Sequence, residues 1–262
     1  MVARMIRHAP SRPGSVIRSA PHAGARARMP ADIDASFVVQ HARSAPAGLL
    51  EIADEHDANL VILGSSSAGA LGRVALGSVT NRLLHGSHLP LAIAPRGFRC
   101  GPDATITRVT IAFGDAAGNH ALILAAAAVA ARVGASLRIA SFAVRPSTAF
   151  AGAVVAGGDD LVVNEWIKGT VAAIHEELGE VRALHGVLRQ PLEVVVGQGL
   201  TWNEALEDTP WREGDILAVG SSSTGPAARV FLGSRASKIL RRSPVPVVMV
   251  PRAAAVDPVP EE

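Results

Sequence analysis

Tyrosine is absent from this chain of 262 residues, and the aromatic share is 3%. So thin a supply of rings argues against a stacking platform for single-stranded nucleic acid. A single cysteine, Cys100, excludes an intramolecular disulfide and makes a reducing cytoplasm the simplest compartment. Lysine appears only as Lys168 and Lys238. Long apolar runs are missing too. The clearest, Ala121 to Ala131, lies between His120 and Arg132, falls short of a bilayer span and reads as a buried helix. No secretory h-region opens the chain, so neither membrane nor export is expected.

What is present fits a globular protein. Hydrophobic residues make up 48% and charged residues 18%, enough for one large or two ordinary cores. The +2 net charge is unevenly spread. Residues 1–30 hold six arginines and no acid, so the remainder is mildly acidic at about −4. A basic end on an acidic body does not point to a nucleic-acid partner.

The chain contains a repeat. GSSSAGALGRVALGS begins at Gly64 and GSSSTGPAARVFLGS at Gly220. In that register Arg73-Val74 falls on Arg229-Val230, Leu76-Gly77-Ser78 on Leu232-Gly233-Ser234, and Pro95-Arg96 on Pro251-Arg252. Upstream, Val38-Val39 meets Val194-Val195 and Leu60–Leu63 meets Ile216–Val219. The offset of 156 residues is domain-sized. Each copy reads strand, helix, strand, Gly/Ser loop, helix, strand, as βα units of a buried parallel sheet do.

The second copy extends further upstream. Arg108–Phe113 predicts a strand, Asn119–Val133 a helix stopped at Gly134, Ser136–Val144 a strand, Gly152–Asp160 a loop and Leu161–Leu184 a long helix. The first copy has no room for these elements. The expected organisation is a disordered Arg-rich leader at 1–34, a half domain at 35–98, a complete domain at 105–253 and a tail at 254–262. A sheet lacking its first strands leaves open edges, and the short apolar last strands, Leu89–Ala94 and Val245–Val250, invite pairing. They are expected to pair with each other, as an intrachain pseudo-dimer, or with a second chain in a homo-oligomer.

A strand, a Gly/Ser loop and a helix N-terminus make a candidate anion site, because loop N–H groups and the helix dipole both favour negative charge. Ser234 and its counterpart Ser78 are expected to cap their helices or to donate to a phosphate. Three known loops fit less well. Ala70-Leu71 stands where a P-loop needs Lys-Ser/Thr. A nucleophile elbow with Ser66 at its centre enters its helix at once, whereas this helix starts about ten residues later. The dinucleotide fingerprint is absent after the first strand.

These residues resemble the universal stress protein family, whose nucleotide-binding members carry Gly-x2-Gly-x9-Gly-Ser/Thr. Here Gly220-x2-Ser223-x9-Gly233-Ser234 and Gly64-x2-Ser67-x9-Gly77-Ser78 have that spacing, with Ser at the middle glycine. The last strands before Pro-Arg and the Asp after the first strand, Asp115, are similar too. The tandem arrangement resembles actinobacterial members. The resemblance implies an α/β fold: an open five-stranded parallel sheet with helices on both faces, here one complete domain and one half. It implies ATP or another adenine nucleotide, with or without Mg²⁺, as ligand of a stress-response regulator that is not an enzyme. Asp115 would meet the ribose. Phe113, Gly114 and Phe142 would line adenine, and Val219, Gly220, Ser222, Ser223, Gly233, Ser234 and Arg235 would approach the phosphates. A second phosphate site would comprise Gly64, Ser66, Ser67, Gly77 and Ser78. The Cβ of Ser223 would cost about 1 kcal/mol at a positive φ or obstruct a phosphate, while its hydroxyl offers a donor. Two other readings stay open: an interaction module of the same fold with empty loops, and slow ATP hydrolysis.

The remaining residues have plainer readings. Arg73 and Arg229 read as surface arginines or phosphate contacts. Trp202 and Trp211 should pack the short helix Asn203–Asp208 on the sheet. The histidines show no metal-ligand spacing, and no metal is expected.

Overall fold

The computed structural model describes residues 5–6, 35–101, 103–114, 119–144, 158–185, 188, 192–221 and 233–251. Its elements run β1 (Met5–Ile6), β2 (Ala35–Ser36), α1 (Ala45–Glu55), β3 (Val61–Gly64), α2 (Ser78–Leu84), β4 (Leu91–Ala94), β5 (Arg108–Ala112), α3 (Asn119–Val133), β6 (Ser136–Val144), α4 (Gly158–His185), β7 (Glu193–Gly199), α5 (Trp202–Glu207), β8 (Asp215–Gly220), α6 (Ser234–Arg242) and β9 (Val247–Val250). Seven strands form one sheet in the order β3-β4-β9-β8-β5-β6-β7. Neighbours are parallel except at β4–β9, where Ala92 lies opposite Val248. The two last strands therefore pair within the chain, joining the five strands of the second copy to two of the first.

One expected strand is not formed. Val38-Val39 lies outside any ladder, and the nearby strand, β2, instead pairs antiparallel with Met5–Ile6 in a separate two-stranded sheet. The counterpart of that segment, β7, is held by β6. Among the described residues the first copy has no equivalent of β6, and no ladder there includes residues 38–39. Met5–Ile6 also gives the expected leader a short piece of strand. Most of that leader, the Gly152–Asp160 loop up to residue 157, and the tail lie outside the described residues.

Each face of the sheet buries its own set of helices. Leu49 and Ala53 of α1, Leu83 and Leu84 of α2, Leu206 of α5 and Leu240 of α6 pack on one face, against Leu91, Phe142, Leu217 and Met249. On the other face, Ile123 and Ala126 of α3 and Ile174, Leu178 and Val181 of α4 cover Val109, Ile111, Ile139 and Ala218. Each fully buried Leu or Ile contributes roughly 1.5–3 kcal/mol. Helix α3 ends as expected: Gly134 takes φ +66° and Ala135 donates its N–H to the Ala130 carbonyl at 2.9 Å. Gly197 on β7 lets α5 lie close, since a Cβ there would stand 2.1 Å from the Ala205 carbonyl oxygen. Trp202 and Trp211 pack on that core, and Trp211 Nε1 donates to the Leu206 carbonyl at 2.7 Å.

The amino ends of the second-copy strands hold a buried ionic cluster. Arg108 grips Asp215 in bidentate fashion, Nε to Oδ1 at 2.9 Å and Nη2 to Oδ2 at 2.7 Å. Arg138, whose side chain is 0% exposed, donates to Thr110 Oγ1 and the Pro210 carbonyl, and its Nη2 lies 3.7 Å from Asp215 Oδ2. Glu193 supplies a second carboxylate, 3.2 Å from Arg108 Nη1. The hydrogen bond to Asp215 raises the Arg108 pKa. Burial, and then the Arg108 charge, lower that of Arg138. This cluster sits at the opposite end of the strands from the loops, so its role is structural.

Candidate functional site

Chain direction creates the crevice. From β5 the chain moves outward to β6 and β7, then returns to the other side of β5 as β8. Open α/β sheets bind ligands outside the carboxyl ends at such a reversal. Here those ends are Phe113-Gly114 after β5 and Gly220-Ser221 after β8. A Cβ on Gly114 would meet no heavy atom of the described residues within 4 Å, and one on Gly220 would find only Leu122, from 3.5 Å. Among the described residues, open space thus lies over Gly114, while Leu122 borders Gly220. Asn119, at the start of α3, fixes the Gly114 peptide: its Nδ2 donates to the Gly114 carbonyl at 2.6 Å. Nothing in the sequence pattern singled out Asn119, although an Asn a few residues after a strand-end Gly-Asp is a turn signal.

The phosphate end differs from expectation by one residue. Gly233, not Ser234, is the N-cap of α6, with φ −64° and ψ 163° and no side-chain cap. Ser234 is the first helical residue and is exposed, as is Arg235. Gly77 and Ser78 stand in the same relation to α2. Glycine has no side chain to cap with, so the N-cap residue of neither helix supplies a side-chain acceptor to its first turn.

The aromatic candidates are not brought together. Phe113 packs with Ile111 and Ile123 on the α3–α4 face, while Phe142 packs on the opposite face with Leu217 and Val219. Both rings and the Val219 side chain are buried. What Phe113 places at the crevice is backbone, with its N–H bonded to the Ala140 carbonyl at 2.8 Å. Asp115, Ser222 and Ser223 lie outside the described residues.

The first-copy loop is folded onto itself. Ser65 Oγ donates to the Ala94 carbonyl at 2.7 Å and accepts from the Ala75 N–H at 3.2 Å. The Ser66 N–H goes to the Ala75 carbonyl at 2.8 Å and the Gly72 N–H to the Arg96 carbonyl at 2.9 Å. Ser66 Oγ accepts from the Ala68 N–H at 3.4 Å. Gly64 and Ser67 are exposed, and Gly77 lies against Ser66, where a Cβ would be 3.7 Å away. Arg73 fits neither of its expected roles. Its guanidinium donates to the Arg242 carbonyl at the end of α6 and pairs with Glu207 of α5, tying the first copy to the second.

A duplicated open α/β fold with a crevice at its strand reversal defines the class. Residues 11–95 and 105–251 match the Universal stress protein family. The first of these segments begins inside the Arg-rich stretch. The universal stress proteins Rv2319c of Mycobacterium tuberculosis and Mb2346c of Mycobacterium bovis are each 39% identical to this chain over 226 residues, covering 86% of it and 75% of their own length. Among solved structures, PA1789 of Pseudomonas aeruginosa, titled as functionally unknown, matches with a TM-score of 0.52 at 16% identity, over 82% of this chain and 70% of its own. That likeness concerns fold. The chain belongs to the universal stress protein family, in tandem form, which places it among stress-response proteins. No helix among its described residues is long and apolar enough to cross a membrane.

Proposed function

We propose that the second copy binds an adenine nucleotide in the crevice between the carboxyl ends of β5 and β8, and that binding, not turnover, is its regulatory role. The observation that carries this reading is that, among the described residues, nothing stands over Gly114 and only Leu122 borders Gly220. The glycine-capped N-terminus of α6 offers N–H groups to a phosphate from the same copy. A nucleotide fits this donor set: backbone at Gly114 for the base and ribose, helix N–H groups for the phosphates. Asp115, next along the chain from Gly114, is the proposed ribose ligand, and Mg²⁺ would arrive with the phosphates.

The test uses the full chain. Gly114→Val places its side chain where no described protein atom stands, so the fold should tolerate it while the ligand space is filled. ATP should raise the melting temperature of the parent chain, and Gly114→Val and Asp115→Ala should lose that rise without losing their own ligand-free transition. An equal rise in all three proteins would contradict the site. ADP release above the buffer rate, abolished in Asp115→Ala, would contradict the non-enzymatic role.

The first copy favours a second reading, as an interaction module. Its loop spends the Ser66 and Gly72 N–H groups on its own carbonyls, and Arg73 is committed to α5 and α6. We infer that this copy docks the second rather than holding a nucleotide.

A further inference from the structure

A backbone clasp closes the first-copy loop. The Gly72 N–H donates to the Arg96 carbonyl at 2.9 Å, and the Arg96 N–H donates to the Arg73 carbonyl at 2.8 Å. The Arg96 guanidinium donates to the Gly69 carbonyl. Both sides of the clasp turn through left-handed backbone, Gly72 at φ +72° and Gly97 at φ +75°. In the repeat register the second copy keeps the clasp's partners: Ser221 for Ser65, Gly225 for Gly69, Arg229 for Arg73 and Arg252 for Arg96. It does not keep the two left-handed glycines. Ala228 stands for Gly72 and Ala253 for Gly97.

We propose that Gly72 and Gly97 decide which copy is open to a ligand. Together they lock the first-copy loop onto its own backbone, and alanine at both counterparts leaves the second-copy loop without that lock. The proposal rests on the reading that the second-copy crevice takes a nucleotide.

Four observations support it. First, the dihedrals discriminate. An L-residue in left-handed backbone is disfavoured by roughly 5- to 30-fold per position, and the clasp requires two such positions. Second, dihedral and not room is the obstacle. A Cβ on Gly72 would meet no heavy atom of the described residues within 4 Å. One on Gly97 would stand 3.1 Å from Leu71 Cδ2, the tip of an exposed side chain that can turn aside. Third, side-chain chemistry does not separate the copies. The Ser65 hydroxyl, which joins the Ala94 carbonyl to the Ala75 N–H, has Ser221 as its counterpart, and Arg96 has Arg252. Fourth, closure withholds donors. The Ser66 N–H is bonded to the Ala75 carbonyl and the Gly72 N–H to that of Arg96, so neither can serve a phosphate while the clasp holds.

Hydrogen exchange of the full chain without nucleotide tests the lock. In the parent, the amides at positions 66 and 72 should exchange slowly. Gly72→Ala and Gly97→Ala should each speed them by about 5- to 30-fold. The converse double variant, Ala228→Gly/Ala253→Gly, should slow the amides at positions 222 and 228. Ala227→Gly adds a glycine to the same loop at a position where the first copy has no left-handed residue, so it should change neither. In calorimetry the double variant should bind Mg·ATP more weakly than the parent, by about fivefold or more, because its loop is closed part of the time. Equal exchange at positions 66 and 72 in the parent and the Gly72→Ala variant would overturn the proposal. So would unchanged exchange at positions 222 and 228 in the double variant. A parent chain that binds no ATP would refute the nucleotide reading, and the exchange rates would still decide the lock.

Discussion

Strands β3 and β8 are the same device in two settings. Both end in Gly-Ser-Ser-Ser, and both receive a hydrogen bond network of the same register. Val61 donates its N–H to the Pro90 carbonyl at 3.0 Å, and Leu217 to that of Pro246 at 2.9 Å. Ser87 Oγ donates to the Leu89 carbonyl at 2.8 Å, and Ser243 Oγ to that of Val245 at 2.8 Å. Yet β8 lies between β5 and β9, and β3 has β4 alone. Ala218 is 3% exposed, whereas Ile62, at the matching position, is 49% exposed. Local sequence thus sets turn chemistry equally in both copies, while neighbouring strands decide whether a residue is core or rim.

The comparison is sharpest at the strand starts. Asp215 is buried beneath two arginines, and its counterpart is Asn59, which is exposed. Asp215→Ala leaves Arg108 and the buried Arg138 without their shared carboxylate and should cost about 3–5 kcal/mol in denaturant unfolding. Asn59→Ala should stay within about 0.5 kcal/mol. Equal costs would break the distinction between centre and edge.

Next in size are the serine turns. Ser87→Ala strands a part-buried N–H and Ser243→Ala a buried one, and each should cost about 1–2 kcal/mol. Here near-equality is the expected result, because the device is local. A loss confined to Ser243→Ala would show that the first copy unfolds separately from the second. The smallest effect is at Ile62. Ile62→Lys should alter stability by no more than about 0.5 kcal/mol, and a charge on an open edge should reduce any self-association seen by light scattering.

Much of the fold was legible because it was written twice. Identical residues at one offset revealed the repeat, and short apolar runs revealed β3, β4, β5, β6, β8 and β9. Helix α3 was bounded by its turn residues. The Val38-Val39 strand was misread because an apolar pair says nothing about whether a partner strand exists. The ionic cluster was invisible for a similar reason: Arg108, Arg138, Glu193 and Asp215 look like ordinary polar residues near strand ends until β5, β6, β7 and β8 are aligned. At the crevice, Gly220 and Gly233 were identified by the spacing of the repeated loop and Gly114 by the family resemblance, whereas the cap fell on Gly233 because dihedrals, not residue preference, fix the first helical turn. Arg73 and Asn119 depend on contacts between segments distant in sequence or on loop geometry, and no spacing rule reports those.

The central claim is that two similar loops have diverged, one to a ligand and one to packing. Calorimetric titration of the full chain with Mg·ATP tests it most directly. One nucleotide per chain, weakened by Asp115→Ala and unaffected by Ser66→Ala, is the predicted result. Two nucleotides per chain, or one that survives Asp115→Ala and is lost in Ser66→Ala, would contradict it.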